Sequence, residues 1–166
     1  MSRESLERRS REELLHELGD AVRASQRSTD KFDELVSQLL GVNRTDSRCL
    51  DILEQHGQVS AGELSHEAGL TSGAITAVID RLERAGYVRR VADPGDRRRV
   101  LVEPTPKARQ AGMELFGPLS EAAVTLMAGY TDEDLKLLIE FHRLGRELQE
   151  HQAELLRARL REHHGV

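Results

Sequence analysis

Three consecutive arginines, Arg97, Arg98 and Arg99, follow the turn sequence "DPGD" and stand between two runs rich in β-branched residues. Like charges side by side repel one another and add nothing to an apolar core, so their chemistry is either recognition of an anion or plain solvation. Arg81, Arg84, Arg89 and Arg90 precede them, and the same stretch holds only Glu83, Asp93 and Asp96 in opposition. The whole 166-residue chain carries a formal charge of −5, so this cationic segment is a local feature of an acidic molecule. An approaching polyanion responds to the local charge more than to the total, because screening limits its reach to about 8 Å at physiological salt.

The other reactive residue types are not arranged for catalysis. Seven histidines form no metal motif, and the sequence has no HExxH, no P-loop and no GxSxG. The reading is therefore not an enzyme, with no cofactor and no metal. His142 and His151 fall on the same helix face but read as solvated side chains. Cys49 is the single cysteine, which fits a reducing compartment, and its apolar setting "SRCLDIL" reads as a core thiol rather than a peroxide sensor. The start, "MSRESLERRS", lacks the apolar stretch of a secretory signal, and no run approaches the roughly 20 apolar residues of a membrane span. A cytoplasmic protein without a membrane partner is the expectation.

The elements around the arginines decide between recognition and solvation. In "SAGELSHEAGLTSGAITAVIDRLERAGYVRR", Ser60 and Glu63 have capping-box spacing, so a short helix should run to Ala68 and stop at Gly69. Thr71 or Ser72 then caps a second helix whose Ile75, Val78, Ile79 and Leu82 form an apolar stripe, with Gly86 as the stop. Two short helices joined at a glycine make a helix-turn-helix pattern. Tyr87–Val91 and Val100–Val102 read as strands of a hairpin with the arginines at its tip, a β-wing beside the helices.

Outside this module the periodicity is helical. Residues 5–40 place Leu14, Leu15, Leu18, Val22, Phe32, Leu35, Val36, Leu39 and Leu40 on one face, with a break expected near Ser28-Thr29-Asp30 and a stop at Gly41. Thr45 is the expected cap of a helix holding Cys49, Leu50, Ile52 and Leu53. Thr105 with Pro106 should start another helix, bent at Pro118, and Thr131 the last one, which should end in a frayed "EHHGV" tail. The expected fold is mainly α with a small β-wing: a winged helix-turn-helix core at 45–104, an N-terminal dimerisation region at 1–44 and C-terminal dimerisation helices at 105–166. The outer helices are too long for a module of about 60 residues to cover, and a homodimer would bury their apolar stripes.

The face of the second helix opposite its stripe carries Gly73, Ala77, Asp80 and Arg84, flanked by Thr76 and Arg81. The N-terminal end of such a helix reaches base edges in a DNA groove, which makes Thr71, Ser72, Gly73, Ala74, Thr76 and Ala77 candidates, with Ser60 and Arg81 beside them. On the wing, Arg97 is the candidate for minor-groove insertion and Arg99 for a phosphate. Arg98, on the other side of the ribbon, is expected to pair with Asp80 or Asp96 and steady the wing.

From Ser60 to Arg109 the sequence resembles the winged helix-turn-helix core of MarR-family transcriptional regulators, most closely in "DRLERAGYVRR" and "DPGDRRRVLV". The resemblance covers about a third of the chain. It implies a homodimer on a palindromic double-stranded operator, usually repressing, with a small lipophilic or phenolic effector often bound between the dimer helices and the winged module. It also implies that Arg97 is the minor-groove arginine and Arg98 mainly structural. The sequence departs from the family pattern at Ala77, where many members have arginine, at Pro104, where leucine is common, and at Ala108, where glycine is common. Without tryptophan, an effector pocket would be lined by Leu, Met and Ala with Phe32 or Phe116, and no ligand is named by that set. The competing reading is a winged-helix module that binds protein and not DNA.

Overall fold

A computed structural model describes residues 9–96 and 99–164. The chain divides into two compact units, Met1–Gly117 and Pro118–Val166. The fold class is as expected, helices with a small antiparallel sheet.

The first unit opens with α1 (Arg11–Leu40), which starts behind a complete Ser10–Glu13 capping box and ends at Gly41 in the left-handed conformation. Residues 5–8 of the expected span lie outside the described residues, and the helix runs without interruption through Ser28, Thr29 and Asp30. The expected break fails because those polar residues sit on the solvent side, where Asp30 takes an ion pair from Arg44 at 2.7 Å, and moderate helix propensity alone does not end a helix. Helix α2 (Arg44–His56) is capped by Asn43 rather than Thr45: the Asn43 side chain accepts from Asp46 N at 2.9 Å. With Gly41 closing α1, only Val42 and Asn43 remain as linker, so Thr45 falls inside the first turn.

Strand β1 (Val59–Ser60) leads directly into α3 (Ala61–Ala68), whose Ser60–Glu63 box is complete and whose C-terminus is Gly69 at φ 65°. Helix α4 (Ser72–Arg84) is capped by Thr71, with Ile75, Val78, Ile79 and Leu82 buried as the spacing requires. Gly86, at φ 78°, turns the chain into β2 (Val88–Ala92), which pairs antiparallel with β3 (Val100–Pro104) from Val88↔Pro104 to Ala92↔Val100. The strand missed by sequence reading is β1, which adds to the other edge of β3 through Val59↔Val102 and Ser60↔Leu101. Two residues are too few for a periodic signal, yet they bond the inner strand of the wing to the residue that caps α3.

One apolar cluster holds these elements together: Cys49, Leu50, Ile52 and Leu53 from α2, Leu64 and Ala68 from α3, the α4 stripe, and Tyr87, Val88 and Val102 from the sheet. Helix α5 (Pro106–Met127) starts at Thr105, whose Oγ1 accepts from Ala108 N at 3.3 Å, and contributes Ala108 to the cluster. Cys49 lies in the middle at 0 % exposure, and burial pushes its thiol up to about 11, so thiolate is scarce at neutral pH. A disulfide-exchange reagent is expected to leave Cys49 unmodified in the native protein and to react at once in denaturant; fast native labelling would place the thiol on the surface.

The second unit contains the end of α5, with Pro118 inside the helix, and α6 (Asp132–His164). Thr131 caps α6 as expected, its Oγ1 accepting from Asp134 N at 3.2 Å. The expected fraying is corrected in part: residues 162–164 continue the helix, while Gly165 and Val166 lie outside the described residues. Both α1 and α6 expose apolar side chains, among them Leu15, Leu35 and Leu39 on α1 and Leu137, Ile139, Leu148 and Leu160 on α6. No helix among the described residues is long and apolar enough to cross a membrane.

Candidate nucleic-acid interface

The buried stripe of α4 fixes which side of that helix faces outward. Ser72, Gly73, Thr76, Ala77 and Asp80 are exposed, and Ala74 is half-buried. Thr71 Oγ1 accepts from Ala74 N at 3.3 Å, and Thr76 Oγ1 donates to Ser72 O at 3.0 Å. Both hydroxyls keep acceptor capacity, and the first-turn N–H groups of α4 favour an anion at that end. Gly73 is informative because a Cβ built there would meet nothing within 4 Å. Packing within the chain does not require glycine at this place, and a helical glycine costs roughly 0.5 to 1 kcal/mol relative to alanine. Ser60 is committed to its cap, donating Oγ–H to Glu63 Oε2 at 2.6 Å, and these bonds hold the Glu63 carboxyl below its ordinary range.

The wing turn is tied by Asp93, whose Oδ1 accepts from Gly95 N at 2.7 Å and from Asp96 N at 3.3 Å. Across its base Asp93 N donates to Arg99 O at 3.1 Å, and Arg99 N donates to Asp96 O at 2.8 Å. The Arg99 side chain is half exposed and reaches two acids only at long range, Glu63 at 3.8 Å and Asp93 at 3.9 Å. Arg97 and Arg98, the expected minor-groove and wing-steadying residues, lie outside the described residues.

The arginines upstream of the turn are held more closely than Arg99. Arg81 grips Asp46 through two bonds, Nε to Oδ2 at 2.9 Å and Nη2 to Oδ1 at 2.6 Å. Arg89 Nε donates to Glu103 Oε1 at 2.5 Å, and Gln58 donates to the other Glu103 oxygen. Those two bonds, Gln58 first, hold the Glu103 carboxyl below its usual range. Arg90 bridges Asp80, at 2.5 Å, and Glu83. Arg84 Nε donates to the Asp80 carbonyl at 3.1 Å. Asp80 is thus paired with Arg90 of β2. Among the described residues, Arg81, Arg84, Arg89 and Arg90 are bound closely by protein groups, and Arg99 meets its acids only at long range.

Sequence reading missed Asp46 and Glu103, both buried acids, and Tyr87, whose hydroxyl donates to Leu40 O at 3.0 Å. The three-residue spacing of Asn43 and Asp46 was the available signal for the first; the others depend on contacts distant in sequence. Among the described residues no group of His, Cys, Asp and Glu could hold a metal ion.

The model of the MarR family matches residues 42–100. A protein of Bacillus subtilis (strain 168) described as the uncharacterized HTH-type transcriptional regulator YcgE is 39% identical over 150 residues, spanning 90% of this chain and 97% of its own. Among solved structures, the transcriptional regulator BldR from Sulfolobus solfataricus is 27% identical, with a TM-score of 0.54 over 84% of this chain and 99% of BldR. A point mutant of S. aureus MepR, solved bound to an oligodeoxyribonucleotide, has 16% identity and a TM-score of 0.55 over 83% of this chain and 97% of its own. That last likeness is one of fold.

Proposed function

The chain belongs to the MarR family of transcriptional regulators, and from that premise we propose that it is a homodimeric, sequence-specific repressor, released from a palindromic operator by a small lipophilic or phenolic effector. The observation that carries the reading is the outward face of α4. Its small exposed residues, Ser72, Gly73, Thr76 and Ala77, lie opposite a fully buried stripe and beside a wing that ends in arginines. In this reading Thr71, Ser72, Gly73, Ala74, Thr76 and Ala77 meet base edges in the major groove, Arg97 enters the minor groove, and Arg99 holds a phosphate. The complex of MepR with an oligodeoxyribonucleotide supports it as a neighbour of the same fold.

The exposed apolar side chains of α1 and α6, Leu15, Leu35 and Leu39 on the first and Leu137, Ile139 and Leu148 on the second, support the dimer, since a second copy would cover them and supply the second α4 that a two-fold operator needs. Phe32 and Phe116, edge to face at 5.4 Å, are the lining proposed for an effector. Selection from random duplexes tests the whole reading. It should recover an inverted repeat with half-sites one helical turn apart, around 34 to 36 Å. Affinity should fall steeply with salt, near the seventh power if roughly 8 phosphates are neutralised. Failure to enrich any sequence, together with retention of a protein partner, would favour the protein-binding module instead.

Gly73 gives a sharper test. Gly73→Ala should raise the stability of the free protein by roughly 0.5 to 1 kcal/mol, because the helix gains and the added methyl meets open space. The same change should weaken operator binding, because the methyl then stands between backbone and base pair. Melting curves and a gel shift on one preparation read both effects, and a gain in both would show that nothing approaches this face closely.

A further inference from the structure

We infer that Arg81 is a positioning residue which, through Asp46, sets the rotation of α4 on α2, and so reaches DNA by placing Thr71–Ala77 and not by holding a phosphate. This rests on the DNA-binding reading above and assigns one of its residues a different role. Asp46 is 2% exposed, and both its oxygens are occupied: Oδ1 by Arg81 Nη2 at 2.6 Å, Oδ2 by Arg81 Nε at 2.9 Å and Asn43 Nδ2 at 3.1 Å. Its own N–H is bonded to Asn43 Oδ1, so the carboxylate sits at the capped start of α2, where the helix dipole favours a negative charge.

The apolar stripe of α4 cannot supply this placement alone. Burial of Ile75, Val78, Ile79 and Leu82 is non-directional and tolerates small rotations, whereas a two-bond guanidinium–carboxylate pair fixes an angle as well as a distance. A rotation of about 20° would carry a side-chain tip ~5 Å from the helix axis through nearly ~2 Å, enough to lose a hydrogen bond to a base. The preceding residue completes the arrangement. Asp80 is held by Arg90 of β2 at 2.5 Å, so successive residues tie α4 to the wing and to α2.

The test compares the duplex recovered by selection with a scrambled duplex, at several salt concentrations, for the full-length wild type, Arg81→Met, Arg81→Lys, Asp46→Asn and the double variant Asp46→Leu/Arg81→Met. If the pair positions α4, Arg81→Met and Asp46→Asn each weaken binding to the selected duplex at least about 10-fold and leave the salt slope unchanged. Lysine does not restore binding, because it lacks the two-pronged fork, and the scrambled duplex loses less than about 2-fold. A phosphate contact predicts the reverse: Arg81→Met removes one contact from each protomer, lowers the slope by about two and weakens both duplexes alike, while Asp46→Asn binds as the wild type does. Either single variant leaves a buried charge or dipole unmatched, so unfolding would make it uninformative; the double variant fills the same space with apolar atoms and then decides. A folded double variant that binds the selected duplex with wild-type affinity overturns the inference, and one that folds but loses discrimination supports it. Absence of any selected duplex for the wild type would count against the DNA reading itself.

Discussion

A chain ending at Met127 is expected to sediment as a monomer while keeping a folded winged module. The module's core draws on residues from Cys49 to Ala108, all upstream of the cut, so its cluster survives. What goes is α6, which exposes Leu137 at 70%, Ile139 at 68% and Leu148 at 62% in the isolated chain. Side chains of that kind each contribute roughly 1.5 to 3 kcal/mol when fully buried, so the loss of several removes most of what a dimer interface can gain. DNA affinity should collapse with it, because two half-sites bound by separate monomers forgo the advantage of linkage, a factor of about 10² to 10⁴. Sedimentation of the truncated chain as a stable dimer would move the interface away from α6, and the proposed dimer would have to be rebuilt on α1 and α5.

Arg97→Ala is expected to cost operator affinity by roughly 1 to 3 kcal/mol without altering the oligomeric state or the melting temperature. The four arginines before the turn have protein acceptors: Asp46 for Arg81, the Asp80 carbonyl for Arg84, Glu103 for Arg89, and Asp80 with Glu83 for Arg90. An incoming duplex would have to displace those bonds to use their charge. The described part of the turn is tied by the Asp93 side chain and by backbone bonds between Asp93, Asp96 and Arg99, so its path is fixed before a ligand arrives and the ordering cost of binding is low. The effect should be largest on A·T-rich sites, where a narrow minor groove deepens the negative potential. Equal affinity of wild type and variant in anisotropy titrations at several salt concentrations would remove the wing from the proposed interface.

Local signals in the sequence were legible because they act over three or four residues. Ser60 with Glu63, Thr71, Thr105 with Pro106 and Thr131 all stand at helix starts in the structure, and the stripe Ile75–Leu82 is buried as its spacing requires. Competition between two adequate signals was harder to resolve. Asn43 and Thr45 are both good caps, and the short link after Gly41 selects Asn43. The least legible features depend on chain segments brought together from afar. Arg81 meets an acid 35 positions away, Arg89 one 14 away, and β1 pairs with a strand whose partner residues lie some forty positions on. Arg81, Arg89 and Arg90 read as part of one cationic patch only until their acidic partners are located.

The division of α4 into two faces also bears on how such a regulator can change over time. Substitutions at Gly73, Thr76 and Ala77 remove no buried contact, so most of them leave the fold above its stability threshold whatever they do to base preference. Under the proposed reading, a duplicated copy can therefore drift toward a new target, one residue at a time, without passing through an unfolded intermediate. Divergence of reading is cheap here, and it is the inward stripe that evolution must hold still.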